Sequence, residues 1–205
     1  MAMAAVQLGI PKRIVYVKNT NLDILNKRLT DEGKEETNDY NEAKVLINPE
    51  ILSREECAKC RICCCFDSYD IWEAPVVSKE LADVIVKEHK PDLEFVPKGD
   101  SFVMKMDREE NEDLYYCSVL DHSKGCLLGT GKPFDCSIWP LRVMRFEGKR
   151  VIALSPVCPV VIKKPVSEVV ALAKKLQSKI FSEADKNPDL VKNYEAGYVI
   201  LVVED

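Results

Sequence analysis

Histidine is almost missing from this chain: His89 and His122 are the only two among 205 residues. They stand too far apart in sequence to form a pair one helical turn apart, so a metal site held mainly by imidazole is excluded. Long apolar runs are missing as well. No stretch approaches the roughly 18 consecutive apolar residues of a membrane-spanning helix, which predicts no membrane partner. Positive charge is not in excess: the net charge is −5 and the pI about 5.3. That balance argues against a nucleic-acid backbone as partner. The short apolar start, Met1 to Gly9, lacks the cationic region and cleavage site of a secretory signal. The expectation is a cytoplasmic protein, in a compartment that keeps thiols reduced. With 46% hydrophobic and 31% charged residues, the composition is globular rather than disordered.

What the sequence does have is cysteine. Five of the nine cysteines fall in Cys57-Ala58-Lys59-Cys60-Arg61-Ile62-Cys63-Cys64-Cys65. A packed core has no need of such a run, because the packing value of a thiol is small and its reactivity decides its use. In a reducing compartment the clustered thiols point to metal or redox chemistry before disulfides, and an odd total fits poorly with a closed disulfide framework. The other four, Cys117, Cys126, Cys136 and Cys158, mostly lie beside Gly or Pro: Gly125-Cys126, Pro133-Phe134-Asp135-Cys136 and Cys158-Pro159. Loops edged this way can aim a thiolate and leave backbone N–H groups to hydrogen-bond sulfur.

Two kinds of metal fit the spacing. Zinc takes four tetrahedral thiolates, and Cys-x-x-Cys pairs supply two each. A 4Fe–4S cluster also takes four, and Cys57, Cys60 and Cys63 with a distant Cys136 or Cys158 would supply them. Neighbouring side chains diverge, so Cys63 and Cys64 are expected to serve different sites, and eight or nine thiols could fill two. A redox dithiol at Cys57 and Cys60 is the competing chemistry. Asp67, Asp70 and Glu73 are read as surface carboxylates, and Trp72 and Trp139 as packing around the cluster.

The rest of the chain predicts an α+β fold: short strands and two or three helices, stapled by the cysteine-bound metal, with an N-terminal β extension. Ser78 reads as the N-cap of a helix with Leu81, Val84 and Ile85 on its apolar stripe, ended by His89-Lys90-Pro91. Strands are expected over 101–106 and 114–117, joined by an acidic turn, and a hairpin over 141–146 and 150–154 across Glu147-Gly148-Lys149. A helix starts at Ser167 with Val169, Val170, Leu172, Ala173, Leu176 and Ile180 at helical period. Asn187-Pro188 opens a short helix closed by Gly197, and 198–203 is a last strand.

Two resemblances divide the chain. Residues 1–56 resemble the first part of a peptide deformylase. Met3-Ala4-Ala5-Val6-Gln7-Leu8-Gly9 is similar to the G-x-G-φ-A-A-x-Q motif, and Val45-Leu46-Ile47-Asn48-Pro49 to a later strand of that family. Ala2 replaces the second glycine of the motif, and the E-G-C-L-S and H-E-x-x-H elements are absent. The resemblance therefore implies an incomplete deformylase-like segment. From Cys57 to about Pro159 the chain resembles the CxxCxxCC cysteine-cluster family, described as a zinc- or iron-chelating domain. Cys57, Cys60, Cys63 and Cys64 match its opening motif. Cys117, Leu120 and Cys126 match a C-x-x-L…C element. Pro133, Cys136 and Pro140 match R-P-x-x-C-R-x-F-P, with Lys132, Ser137 and Trp139 as variants; Cys65 is extra and Cys158 lies outside the pattern. A flagellin lysine N-methylase is similar in its cysteine motif. The resemblance implies residues 57–205 as a cysteine-cluster domain holding zinc or an iron–sulfur cluster. The ligand candidates are Cys57, Cys60, Cys63, Cys64, Cys117, Cys126, Cys136 and Cys158. The alternative is a metal-dependent enzyme: a cluster-assisted oxidoreductase or methyltransferase, or a degenerate deformylase.

Overall fold

The computed structural model describes Glu56 and residues 59–67, 71–108 and 114–204. The deformylase-like segment, Cys57 and Asp70 lie outside the described residues. Among those described, the fold is α+β, with three α-helices and twelve short strands, most of them paired antiparallel.

The largest sheet carries the C-terminal half. β9 (Leu141–Phe146) and β10 (Lys149–Leu154) form the expected hairpin, closed by Glu147 and Gly148. Both turn residues have positive φ, 48° and 80°, the signature of a tight turn whose twist matches its strands. β12 (Val199–Val203) pairs antiparallel with β10, and β11 (Lys192–Asn193) pairs parallel with β9, giving the order β11-β9-β10-β12. The period-2 alternation sorts side chains to two covered faces. Val143 and Ile152 pack on one side with α3 (Val166–Lys186), while Met144, Val151 and Ala153 pack on the other with Tyr198 and Ile200. A register shift opposite Ile152/Ala153 sends both Leu201 and Val202 toward the α3 side.

α3 buries Val169, Val170, Leu172, Ala173, Ile180 and Ala184. Five of these were expected from the period; Leu176 is only partly buried. Fully burying Ile180 alone contributes about 2 kcal/mol or more. The helix begins one residue earlier than expected, at Val166, because Pro165 pre-sets the entry angle. After Asn187 only a single 3-10 turn forms, Pro188–Leu190, not a helix reaching Gly197. The chain is instead drawn into β11, and Gly197, at φ 113°, turns it into β12.

The N-terminal half is built on smaller sheets. β2 (Val76–Val77), β4 (Ser101–Met104) and β3 (Phe95–Lys98) form one, in the order β2-β4-β3. β1 (Cys65–Phe66), β6 (Tyr115–Tyr116) and β5 (Asp107–Arg108) form another, in the order β1-β6-β5. The strands expected over 101–106 and 114–117 thus belong to different sheets, because β5 lies between them in the chain and takes up the pairing with β6. β7 (Leu120–Asp121) and β8 (Gly125–Cys126) make a short hairpin.

α1 (Lys79–Glu88) has the expected cap: Ser78 Oγ accepts a hydrogen bond from the Leu81 N–H at 3.2 Å. Ile85 and Ala82 face the core, whereas Val84 is 41% exposed. Replacing Ser78 with alanine leaves that N–H unsatisfied and is expected to cost about 1 kcal/mol, read as a lower denaturant midpoint.

No helix among the described residues is long and apolar enough to cross a membrane.

Candidate metal centre

Arg61 adopts a left-handed backbone, φ 55°, and opens a single 3-10 turn, Ile62–Cys64. The Cys64 N–H donates to the Arg61 carbonyl at 2.9 Å. This tight turn curls adjacent cysteines together: Cys63 Sγ and Cys64 Sγ are 4.0 Å apart. Both line one cavity of about 290 Å³. The 3-10 winding brings the neighbouring side chains onto one wall.

Three further segments bring thiols to the same cavity. The Cys117 N–H donates to the Cys64 carbonyl at 2.9 Å, continuing the β1–β6 ladder and placing Cys117 beside the turn. The Leu120 N–H then donates to the Cys117 carbonyl, and Leu120 pairs with Cys126 across β7 and β8. The C-x-x-L…C spacing is thus a turn followed by a hairpin that returns the second cysteine to the first. Cys136 comes from α2 (Phe134–Ser137), a short helix entered through Pro133. Cys63, Cys64, Cys117, Cys126 and Cys136 all line the cavity.

The remaining candidates lie elsewhere. Cys60 and Cys158 share a small crevice of about 10 Å³ with Cys63 and Trp139. Cys158 is buried in the α3 core. The Cys65 thiol points to the Arg61 carbonyl at 3.6 Å. Neither His89 nor His122 lines the cavity. His122 instead meets the edge of Tyr116, at 5.0 Å between ring centres. None of the eight described cysteines is in a disulfide.

Electrostatics ties four of the thiols together. Burial pushes the Cys117 thiol up to about 12, and the neighbouring Cys126 and Cys63 add to the rise. Cys136 is raised well above an ordinary thiol, first by burial and then by Cys117, with Arg142 opposing and Cys63 adding. Cys65 is raised by burial and then by Cys60. Cys117 and Cys136 are thus each raised by neighbouring thiols, Cys63 among them in both cases, whereas Cys65 is raised by Cys60. No three Cys, His, Asp or Glu side chains among the described residues are arranged to hold one ion. Closure and deprotonation both accompany metal binding in thiolate sites.

The donor chemistry fits a soft metal: a wall of thiols with no carboxylate or imidazole lining the cavity.

A charged network that sequence reasoning missed braces the base of this site. Asp135, fully buried, precedes Cys136 in α2 and accepts from the Val76 N–H at 3.1 Å. Arg142, 3% exposed, donates to the Asp135 carbonyl at 2.9 Å. Lys192, 4% exposed, donates to the carbonyls of Ala74 at 3.0 Å and Trp72 at 3.2 Å, and lies 3.6 Å from the Asp135 carboxylate. Glu73 is not the surface carboxylate expected. It is buried, hydrogen-bonded by the Tyr198 hydroxyl and 3.7 Å from Arg142, because β12 carries Tyr198 over it. Asp67, by contrast, is half-buried. Trp139 does pack beside cysteines, under the Arg142 guanidinium at 4.7 Å. Trp72 does not: it packs on Tyr198, with ring centres 6.2 Å apart, in the core on the other side of the large sheet. The one signal in the sequence was charge at inward strand positions, as at Arg142 within Leu141–Phe146.

No family model, curated protein or solved structure matches this chain.

Proposed function

We propose that this is a cytoplasmic metal-binding protein whose centre is held by Cys63, Cys117, Cys126 and Cys136. The reading rests on one observation: four segments distant in sequence bring these thiols to the lining of a single cavity. Zinc and a 4Fe–4S cluster both fit four thiols, and the metal is one or the other. Bound there, a cluster would supply one-electron chemistry. The chain itself supplies four thiols, a buried wall that limits water, and an Arg142–Asp135 brace that fixes α2.

With a cluster bound, protein prepared without oxygen should be brown, with an absorption band near about 400 nm and iron and sulfide in matched amounts. Colourless protein with stoichiometric zinc would replace the cluster by zinc. Protein folded and stable with neither would overturn the metal reading.

The deformylase-like segment lies outside the described residues apart from Glu56, and the sequence lacks the H-E-x-x-H element that a deformylase needs. The cytoplasmic placement is part of this proposal, supported by clustered cysteines in odd number, which fit a metal site better than a disulfide framework.

A further inference from the structure

Beside the thiols, the cavity has a second wall of different chemistry. The chain as a whole is acidic, with 34 Asp and Glu against 29 Lys and Arg. Yet no carboxylate lines this cavity, and three cations do: Arg61, Lys124 and Lys132. Arg61 is held in place by donating to the His122 carbonyl. Lys124 is fixed at its backbone, where its N–H donates to Asp121 Oδ1 at 2.8 Å.

The loop Leu128-Gly129-Thr130-Gly131-Lys132 forms the rest of that wall. Gly129 takes φ 53°, and the Gly131 N–H folds back onto the Leu128 carbonyl at 2.7 Å. A Cβ at Gly131 would sit 3.2 Å from that same carbonyl, so the tight turn favours glycine there. Among the described residues, the N–H groups of Thr130 and Lys132 donate to no protein atom. Both residues line the cavity. Backbone N–H groups presented around a left-handed residue make a concavity suited to an anion, and adjacent lysines add charge. Phe66, Met104 and Leu128 supply an apolar floor.

We propose that this cavity binds a small organic oxyanion, a carboxylate or phosphate. Its charged end rests on Lys124, Lys132 and the Gly129–Lys132 loop, and its apolar body lies against Phe66, Met104 and Leu128, beside the thiols. This names the ligand class of the proposed metal centre and rests on that reading only for the thiol wall. The volume of about 290 Å³ suits a molecule with one ring, at the small end of known ligand pockets.

The test is calorimetry on the full chain prepared without oxygen, with metal content measured on the same samples. The probes are inorganic phosphate, phenyl phosphate, benzoate and neutral benzyl alcohol. At least one ring-bearing anion should bind about tenfold or more tighter than benzyl alcohol, and also tighter than inorganic phosphate. Lys124→Gln and Lys132→Gln should each weaken that binding about tenfold while metal content stays unchanged. Absence of binding by both ring-bearing anions, equal binding of the neutral probe, or affinity indifferent to both lysines would overturn the proposal. So would lysine variants that lose metal with no probe bound to the parent protein, since the cations would then only balance thiolate charge. Metal-free protein that still binds the anions with the same lysine dependence would overturn the metal centre and leave the oxyanion site standing.

Discussion

Replacing Cys136 with serine should strip the proposed metal from this protein, and Cys117→Ser should do the same. A serine hydroxyl has nearly the shape of the thiol but is a poor donor to zinc or iron. Cys117 is positioned by its hydrogen bond to the Cys64 backbone and Cys136 by α2, while the fifth thiol of the cavity, Cys64, lies beside Cys63. Metal content by elemental analysis should fall to background in either variant. Thiolate centres contribute on the order of 10 kcal/mol to folding, so the variants should also unfold at much lower denaturant. The sharper half of the prediction concerns the controls. Cys65→Ser and Cys158→Ser should keep their metal, because neither thiol lines the main cavity. If these two lost metal as completely as Cys136→Ser, the assignment of the four ligands would be wrong. Loss of fold alone cannot mimic the result, since the buried Cys158 is the more disruptive packing change of the two controls.

The second large effect lies under the site. Lys192→Met should destabilise the protein by about 3 kcal/mol at pH 7, because it leaves the buried Asp135 carboxylate short of a counter-charge. The double variant Lys192→Met, Asp135→Asn should recover much of that loss, since it removes both charges together. A loss under about 1 kcal/mol in the single variant would show that Arg142 alone balances Asp135. The same lysine gives a pH signature. Burial lowers its amine from an ordinary 10.5 to about 8, against the opposing pull of Asp135. Between those values the unfolded chain binds more protons at this residue than the folded one. Its contribution to stability therefore rises with pH across the window from about 8 to 10.5 and is flat below it. Denaturant titrations of the parent should show that rise, and Lys192→Met should lack it.

Ser78 as a cap, the Glu147-Gly148 turn and the helical period of α3 were legible because each is local. A side chain reaches its own backbone three residues on, a two-residue turn sets its own φ, and a period needs only neighbours. The two strands around the acidic turn were misassigned to a common unit because partner choice is decided by segments far away in sequence. Glu73 and Trp72 were misplaced for the same reason: what covers them is Tyr198, more than a hundred residues on.

By itself, the sequence determined that the donors on offer are thiols rather than imidazoles, with nine cysteines against two histidines. It also determined the α+β class, through periods that any chain of this pattern must bury. Only the tertiary structure decided which thiols meet. Cys63, Cys117, Cys126 and Cys136 converge because a 3-10 turn, a hairpin and a four-residue helix all end at one cavity, while Cys60 and Cys158 are carried to another crevice. Spacing along a chain constrains only cysteines within a turn of one another. Convergence across seventy residues is set by sheet pairing and by the buried charges that hold α2 in place, and no local pattern encodes it.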